Sequence, residues 1–269
     1  MSAGSLIIVG TGIKAVSQIT VEARAQIERA QHVFFLINEP ATAAWIQRLN
    51  PAAESLGRFY VAGQRRVDIY RAITAHILDT VRQGIHVCAV FYGHPGVFVT
   101  PAHAALRQAR REGFKAWMLP GISAEDCLFA DLEIDPALQG CQSFDATDFL
   151  LHKRRFDPTS NVILWQVGVT GELGFRRDPL DRRGLDLLVE VLTEHYGADH
   201  RCALYEAALY PTFEPQIVWL PLGDLPGAAL TTISTLYVPP KAAAAWDATA
   251  MARLKIGWAD LAVDDENLP

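Results

Sequence analysis

The sequence predicts two α/β domains joined near Pro120, with a ligand cleft between them and a short helical tail. Three observations predict it. Through residues 1–119, short apolar runs alternate with helical patterns, the βαβαβαβ order of a mostly parallel sheet. Through residues 120–240, strand-like runs follow one another with few helices between, which suggests antiparallel pairing. Finally, the runs at Val9, Phe91 and Met118 end in glycine turns, and open sheets bind ligands beyond the C-terminal ends of their strands. Residues 241–269 form the tail.

Each element has a local reason. Residues 6–9 are a strand closed by Gly10-Thr11-Gly12-Ile13. A helix follows over 20–30, where Ile19, Ala23 and Ile27 recur at helical spacing and Thr20 can cap the start. Residues 33–36 are a second strand, stopped by Asn38-Glu39-Pro40, and a short helix over 42–49 ends at Asn50-Pro51. The polar interval 57–65 precedes a strong helix over 67–82. The third strand, 85–91, runs into Tyr92-Gly93-His94-Pro95-Gly96-Val97-Phe98-Val99, then a helix over 102–112 and a short strand over 115–118. In the second half a helix spans 123–131, a strand 162–166 and a long helix 179–196. Strands are expected over 203–205, 217–220 and 233–238, and an Ala-rich helix over 241–254 leads to an acidic end.

Composition narrows the function. With 269 residues, half of them hydrophobic, the chain can bury a large core. Its net charge of −6, with no basic stripe, argues against nucleic acid as a partner. Four cysteines without CxxC spacing suit a reducing cytoplasm rather than a disulfide framework or a zinc site. No apolar run is long enough for a membrane span, and no signal peptide is expected.

Several motifs invite chemistry, each with a plainer alternative. Gly10-x-Gly12 lacks the third glycine of a dinucleotide fingerprint, and the nearest acid to the second strand's end is Glu39. Leu119-Pro120-Gly121-Ile122-Ser123-Ala124 opens a helix whose free N–H groups could hold a carboxylate, although Ser123 could equally be an N-cap. Arg66 and Tyr70 lie four apart on one helical face. A guanidinium beside phenols can bind an anion or polarise an amide carbonyl, or it can be a solvated arginine near a half-buried tyrosine. No HExxH, GxSxG or P-loop is present, so nothing favours a hydrolase, a metalloenzyme or a kinase, and no metal is called for.

Taken together, the early GxG turn, the Gly-x-Pro turn at the third strand and the Pro-Gly-Ile-Ser-Ala turn resemble the tetrapyrrole methylase fold, over roughly residues 4 to 240. Its members are S-adenosylmethionine (SAM) methyltransferases. Within it the chain is most similar to the borosin peptide-backbone α-N-methyltransferases. Tyr92-Gly93-His94-Pro95-Gly96-Val97-Phe98 carries His where tetrapyrrole enzymes usually have Asp, and residues 119–132 and 234–240 are also borosin-like. Gly12 is followed by Ile13-Lys14-Ala15 and not by the usual Pro-Gly-Asp, which argues against a porphyrinoid substrate.

The resemblance implies a SAM cleft between the two α/β domains. Arg66, Tyr70, Tyr92 and Tyr60 match the catalytic positions. SAM contacts fall on Tyr92, His94, Val97, Ser123, Ala124, Gln166, Tyr205, Ser234 and Thr235. It further implies iterative N-methylation of backbone amides in a ribosomally made precursor peptide, with SAM as cofactor. The short stretch after Pro240, and the likeness of residues 256–261 to the ends of split enzymes, point to a separate precursor with its own leader. A homodimer is expected, binding two precursors as a heterotetramer. The alternative is C-methylation of a cobalamin precursor.

Overall fold

The computed structural model describes residues 4–174 and 182–261. Its first half is a parallel sheet with helices on both faces. The strands are β1 (Ser5–Gly10), β2 (His32–Leu36), β3 (Ala53–Ser55), β4 (His86–Phe91) and β5 (Lys115–Met118), in the order β3-β2-β4-β1-β5. Every pairing in it is parallel. The helices are α1 (Val21–Arg29), α2 (Pro40–Leu49), α3 (Arg66–Arg82) and α4 (Thr100–Arg111).

Alternation along the strands decides which helix lies on which face. Leu6, Ile8, Phe34, Val87, Ala89 and Phe91 pack with the Ile69-Ile73-Ile77 stripe of α3 and with Ala102, Ala105 and Ala109 of α4. Their neighbours Ile7, Val9, Val33, Phe35, Cys88 and Val90 face Ala23 and Ile27 of α1 and Ile46 of α2. Both faces are covered, so the strands read as continuous apolar runs.

The second half opens with α5 (Ala124–Asp131) and a single turn, α6 (Pro136–Gln139). It continues through β6 (Cys141–Asp145), α7 (Ala146–Leu151), β7 (Asn161–Trp165), α8 (Arg183–Tyr196), β8 (Arg201–Glu206), β9 (Gln216–Pro221) and β10 (Thr235–Val238). The sheet order is β6-β7-β10-β8-β9. The expected antiparallel pairing holds for β10 with β7 and β8, and for β8 with β9, whereas β6 runs parallel to β7. One face packs on α7 and α8. The other, with Ile163, Trp165, Ala203, Tyr205 and Tyr237, packs on α5 and on Ile13 of the first glycine turn. That shared cluster joins the two halves.

Several elements differ from expectation. Strands β3 and β6 and helix α7 carry too little apolar periodicity to be read, since β3 is only Ala-Glu-Ser and β6 alternates weakly. The tail helix, α9, spans Ala248–Leu254 and not 241–254. Asp247 caps it by accepting from the N–H groups of Thr249 and Ala250, a start signal inside the Ala-rich run. Strand β10 begins at Thr235, because Ile233 and Ser234 belong to the preceding turn. The expected start of the long helix at 179 and the acidic end beyond 261 lie outside the described residues. No helix among the described residues is long and apolar enough to cross a membrane.

Glu39 ties the halves together at a second place. Its carboxylate caps α2, accepting from the N–H of Ala41 (2.7 Å) and from the N–H and hydroxyl of Thr42 (2.6 Å each). It also accepts from the hydroxyl of Tyr210 (2.8 Å), which lies beyond β8. Burial would raise its pKa, but the bonds from Thr42, Ala41 and Tyr210 outweigh burial and hold it at about 2. Because the folded value is depressed, the stabilisation is present above the ordinary value of 4.5 and is lost as pH falls towards 2. Thermal melts of Glu39→Gln should therefore show a lower Tm than wild type at neutral pH. The gap should close across that acid window.

Candidate active site

Three turns meet at the C-terminal ends of β1, β4 and β5. The N–H of Gly12 donates to the carbonyl of Gly93 (3.3 Å), and the N–H of Gly93 donates to that of Gly12 (3.0 Å). The N–H of Thr11 donates to the carbonyl of Phe91 (3.0 Å). These contacts leave no room for side chains. A Cβ on Gly10 would sit 2.1 Å from the Gly93 oxygen, and one on Gly121 would sit 3.2 Å from the same atom. Gly93 has φ of +71°, a conformation that glycine adopts without strain. Gln18, which sequence reasoning missed, fixes the first turn by accepting from the N–H groups of Ile13 and Lys14 (2.8 Å each). Nothing in its spacing marks it beforehand.

The Tyr92 loop is braced from within. Nδ1 of His94 accepts from the N–H of Gly96 (2.9 Å), and the N–H of Val97 donates to the carbonyl of His94 (3.1 Å). The His103 ring meets the Gly96 carbonyl at 2.8 Å. Tyr92 remains 37% exposed, and burial of the rest of its ring, helped by Cys127, pushes the phenol up to about 12. Phe98, half exposed and at a left-handed φ of 55°, reaches across to Trp165 at the end of β7, with ring centroids 5.8 Å apart. Gln166, the next residue, is also left-handed. Both are non-glycine residues at positive φ, a conformation that carries backbone strain.

Other expected contacts are buried and already engaged. Ser123 caps α5 in a reciprocal box, its hydroxyl donating to Asp126 (2.7 Å) and accepting from the N–H of Asp126 (3.3 Å). Ala124 is the first residue of that helix. The Tyr205 hydroxyl donates to Asp131 (2.7 Å); burial first, then this bond, pushes its pKa up. Ser234 donates to Glu206 (2.5 Å), and its carbonyl accepts from the N–H of Val167 (3.1 Å), which sets Ser234 beside Gln166. Thr235, also buried, pairs with Tyr205 in the sheet.

Tyr60, Arg66 and Tyr70 form one cluster. Tyr60 and Tyr70 share a hydrogen bond, and Arg66 is close enough to act on Tyr60 electrostatically. Burial, then Tyr70, raises the Tyr60 pKa well above the usual phenol range, with Arg66 pulling the other way. The start of α3 is pinned from the second half: the N–H of Arg66 donates to the carbonyl of Leu173 (3.3 Å), and Arg65 bridges to Gly174. Arg66, Tyr70 and Gln166 line one cleft of about 840 Å³ that runs along α3 and α4 beside α7. A second hollow, about 580 Å³, lies on β8 and β9 with Asp224 as its one charged group. Among the described residues, no His, Cys, Asp or Glu side chains are grouped as a metal site.

A family model for tetrapyrrole (corrin/porphyrin) methylases matches residues 5–226. The chain belongs to this family. Membership places it among the methylases. Two solved members share its fold. A uroporphyrin-III-C-methyltransferase from Thermus thermophilus has a TM-score of 0.62 at 20% identity, over 89% of this chain and 93% of that one. Precorrin-6Y methylase from Archaeoglobus fulgidus has a TM-score of 0.56 at 17% identity, over 90% of this chain and all of that one.

Sequence relatives are more specific. The chain is 44% identical over 243 residues to a methyltransferase/ribosomally synthesized cyclic peptide dendrothelin A precursor from Dendrothele bispora, covering 89% of this chain and 58% of that protein. It is 41% identical over 258 residues to the omphalotin A counterpart from Omphalotus olearius, covering 94% and 62%. A relative from Coprinopsis marcescibilis, 42% identical over 90% of this chain and 64% of its own length, is described as a type I borosin precursor. The chain thus spans about 58–64% of these three relatives.

The glycine contacts make a sharp stability prediction for this family member. Gly10→Ala should cost about 3 kcal/mol or more by denaturant unfolding, because the added carbon meets backbone oxygen that cannot swing away. Gly227→Ala, where nothing lies within 4 Å, should change stability little.

Proposed function

We propose that the chain uses SAM to N-methylate backbone amides of a ribosomally made peptide, repeatedly along one substrate, with that peptide supplied by a separate precursor protein. One observation carries the reading: a half-buried Tyr60, held protonated, bonds Tyr70 beside Arg66, and Arg66 and Tyr70 line the cleft along α3 and α4. The relatives, described as methyltransferases joined to cyclic peptide precursors, support it. So does the likeness at 38–44% identity to those proteins, against 17–20% to the tetrapyrrole enzymes.

The proposed organisation is a domain over residues 1–119 carrying the catalytic groups, a second over 120–240 completing the SAM site, and a helical tail over 241–269. Tyr92, His94 and Val97 on the bridging loop, with Ser123, Ala124, Gln166, Tyr205, Ser234 and Thr235, would hold SAM. The residues present fit it: side-chain-free turns, the exposed edge of Tyr92, the first-turn amides of α5 and the Gln166 amide offer donors, and the acids Glu125 and Asp126 at the start of α5 suit a ligand that carries positive charge. A homodimer in the cytoplasm, binding two precursors as a heterotetramer, completes the proposal.

The chemistry follows from the amide. Its nitrogen lone pair is delocalised into the carbonyl, so it must gain imidate character to react. SAM supplies an electrophilic methyl carbon. Arg66, and the Tyr60 hydroxyl on turning its one proton from Tyr70 to the substrate, donate to the amide oxygen as it takes on negative charge. Tyr60 keeps its proton and is a donor. Tyr70, having first released its own phenolic proton to solvent, takes the N–H proton at its phenolate oxygen, and Tyr92 helps place the reacting amide. The substrate segment must be extended, because amides within a helix or sheet are already hydrogen-bonded.

Arg66→Ala and Tyr70→Phe should each lower the methylation rate by roughly 10²-fold or more at saturating SAM. Mass spectrometry of a precursor protein co-produced with each variant reads this as lost methyl increments on backbone amides. Near-wild-type methylation in either variant would overturn the role assignment. Methyl transfer to a corrinoid precursor but to no peptide would overturn the substrate.

A further inference from the structure

Tyr60 is not carried by the helix that carries Arg66 and Tyr70. It ends a 3-10 turn, Leu56–Phe59, and its N–H donates to the carbonyl of Gly57 (3.1 Å). A bond between Tyr60 and Tyr70 therefore depends on how that turn is fixed to α3. Leu56 anchors one side of the turn in the core, fully buried. The other side is held by Glu54, by Arg58 on His76 (3.0 Å) and by Phe59 against the His76 ring.

Glu54, on edge strand β3, gathers charged and polar groups from every neighbouring element. Its Oε1 lies 2.6 Å from Nη2 of Arg58 on the turn and 3.0 Å from Nε2 of His76 on α3. Its Oε2 lies 3.6 Å from Nε2 of His32 on β2. The rings close the assembly. Phe59 packs on His76 with centroids 5.4 Å apart, Arg58 lies 5.2 Å over Phe59, and Phe34 sits against both histidines at 4.4 and 4.8 Å. His76 is one and a half turns beyond Tyr70 on the same helix. The Glu54 carboxylate thus links the residue pair just before Tyr60 to the helix that presents Tyr70 and Arg66.

We propose that Glu54, acting through Arg58 and His76, is a positioning residue that sets Tyr60 against Tyr70 and Arg66. The inference rests on the peptide-methylation reading for its effect on rate, but not for its effect on Tyr60. Surface ion pairs on their own contribute little to stability. The function of this one is geometric, since displacing a catalytic group by about 1 Å can cost on the order of 10²-fold in rate.

The test places 3-fluorotyrosine at position 60 and reads it by fluorine NMR in the wild-type chain, Glu54→Ala, Glu54→Gln and Arg58→Ala. In Glu54→Ala the resonance should shift and broaden. Its methylation rate should fall by up to about 10²-fold while the KM for SAM stays unchanged. Glu54→Gln, which keeps an acceptor for Arg58, should recover most of both signals. If Glu54→Ala does not fold, Arg58→Ala, altering a side chain that is 57% exposed, should move the resonance in the same way. An unmoved resonance, or a lowered Tm with unchanged rate, overturns the proposal. If the resonance moves in a chain that methylates no peptide, the positioning stands and the peptide-methylation reading fails.

Discussion

Backbone meeting backbone at Gly10, Gly93 and Gly121 is the constraint on which the cleft depends. The reciprocal Gly12–Gly93 hydrogen bonds fuse the ends of two neighbouring parallel strands, and the Gly93 carbonyl fills the space that side chains would occupy. The fusion aims Ile13 into the shared cluster beneath the second sheet. It also fixes the point from which the Tyr92 loop departs. A side chain at Gly10 would force the turns apart, one at Gly121 would press on the Gly93 carbonyl, and at Gly93 the positive φ is what excludes other residues.

The second dependence is on long-range ties that cross the cleft. Arg66 begins α3, yet its N–H is claimed by Leu173, far along the chain. Phe98 meets Trp165, and Tyr210 meets Glu39. These contacts make the placement of the Tyr60, Arg66 and Tyr70 cluster a property of both halves. Partial burial supplies the rest: a half-buried phenol bonded to another phenol holds its proton even with a guanidinium nearby.

Much of this was legible in the chain. Strands β1, β2 and β4 are buried on both faces, so they read as unbroken apolar runs. The Arg66–Tyr70 spacing put both on one helical face, and the glycine turns stood where ligand loops stand. The elements missed were β3, β6, α6 and α7: the two strands are short or polar and form because a neighbouring strand offers hydrogen bonds, and the two helices are brief runs capped by Asp135 and Asp145. Ser123 illustrates the ambiguity of a motif. As an N-cap its hydroxyl is committed to Asp126, and no sequence signal separates that use from ligand binding.

What the sequence by itself determined was local: which segments are helix or strand, where glycine is required, and which tyrosines lie one helical turn from an arginine. These follow from periodicity and backbone sterics, which act over a few residues. Only the tertiary structure decided which partner each polar group takes. Tyr205 found Asp131, Ser234 found Glu206, Gln18 found the first glycine turn, and Glu54 drew together Arg58, His76 and His32. Such pairs join residues far apart in the chain or on different elements. Buried polar atoms take partners where one is within reach, and which one that is depends on how the two sheets and their helices pack; among the described residues, His32 Nε2 and the Tyr196 hydroxyl make no hydrogen bond.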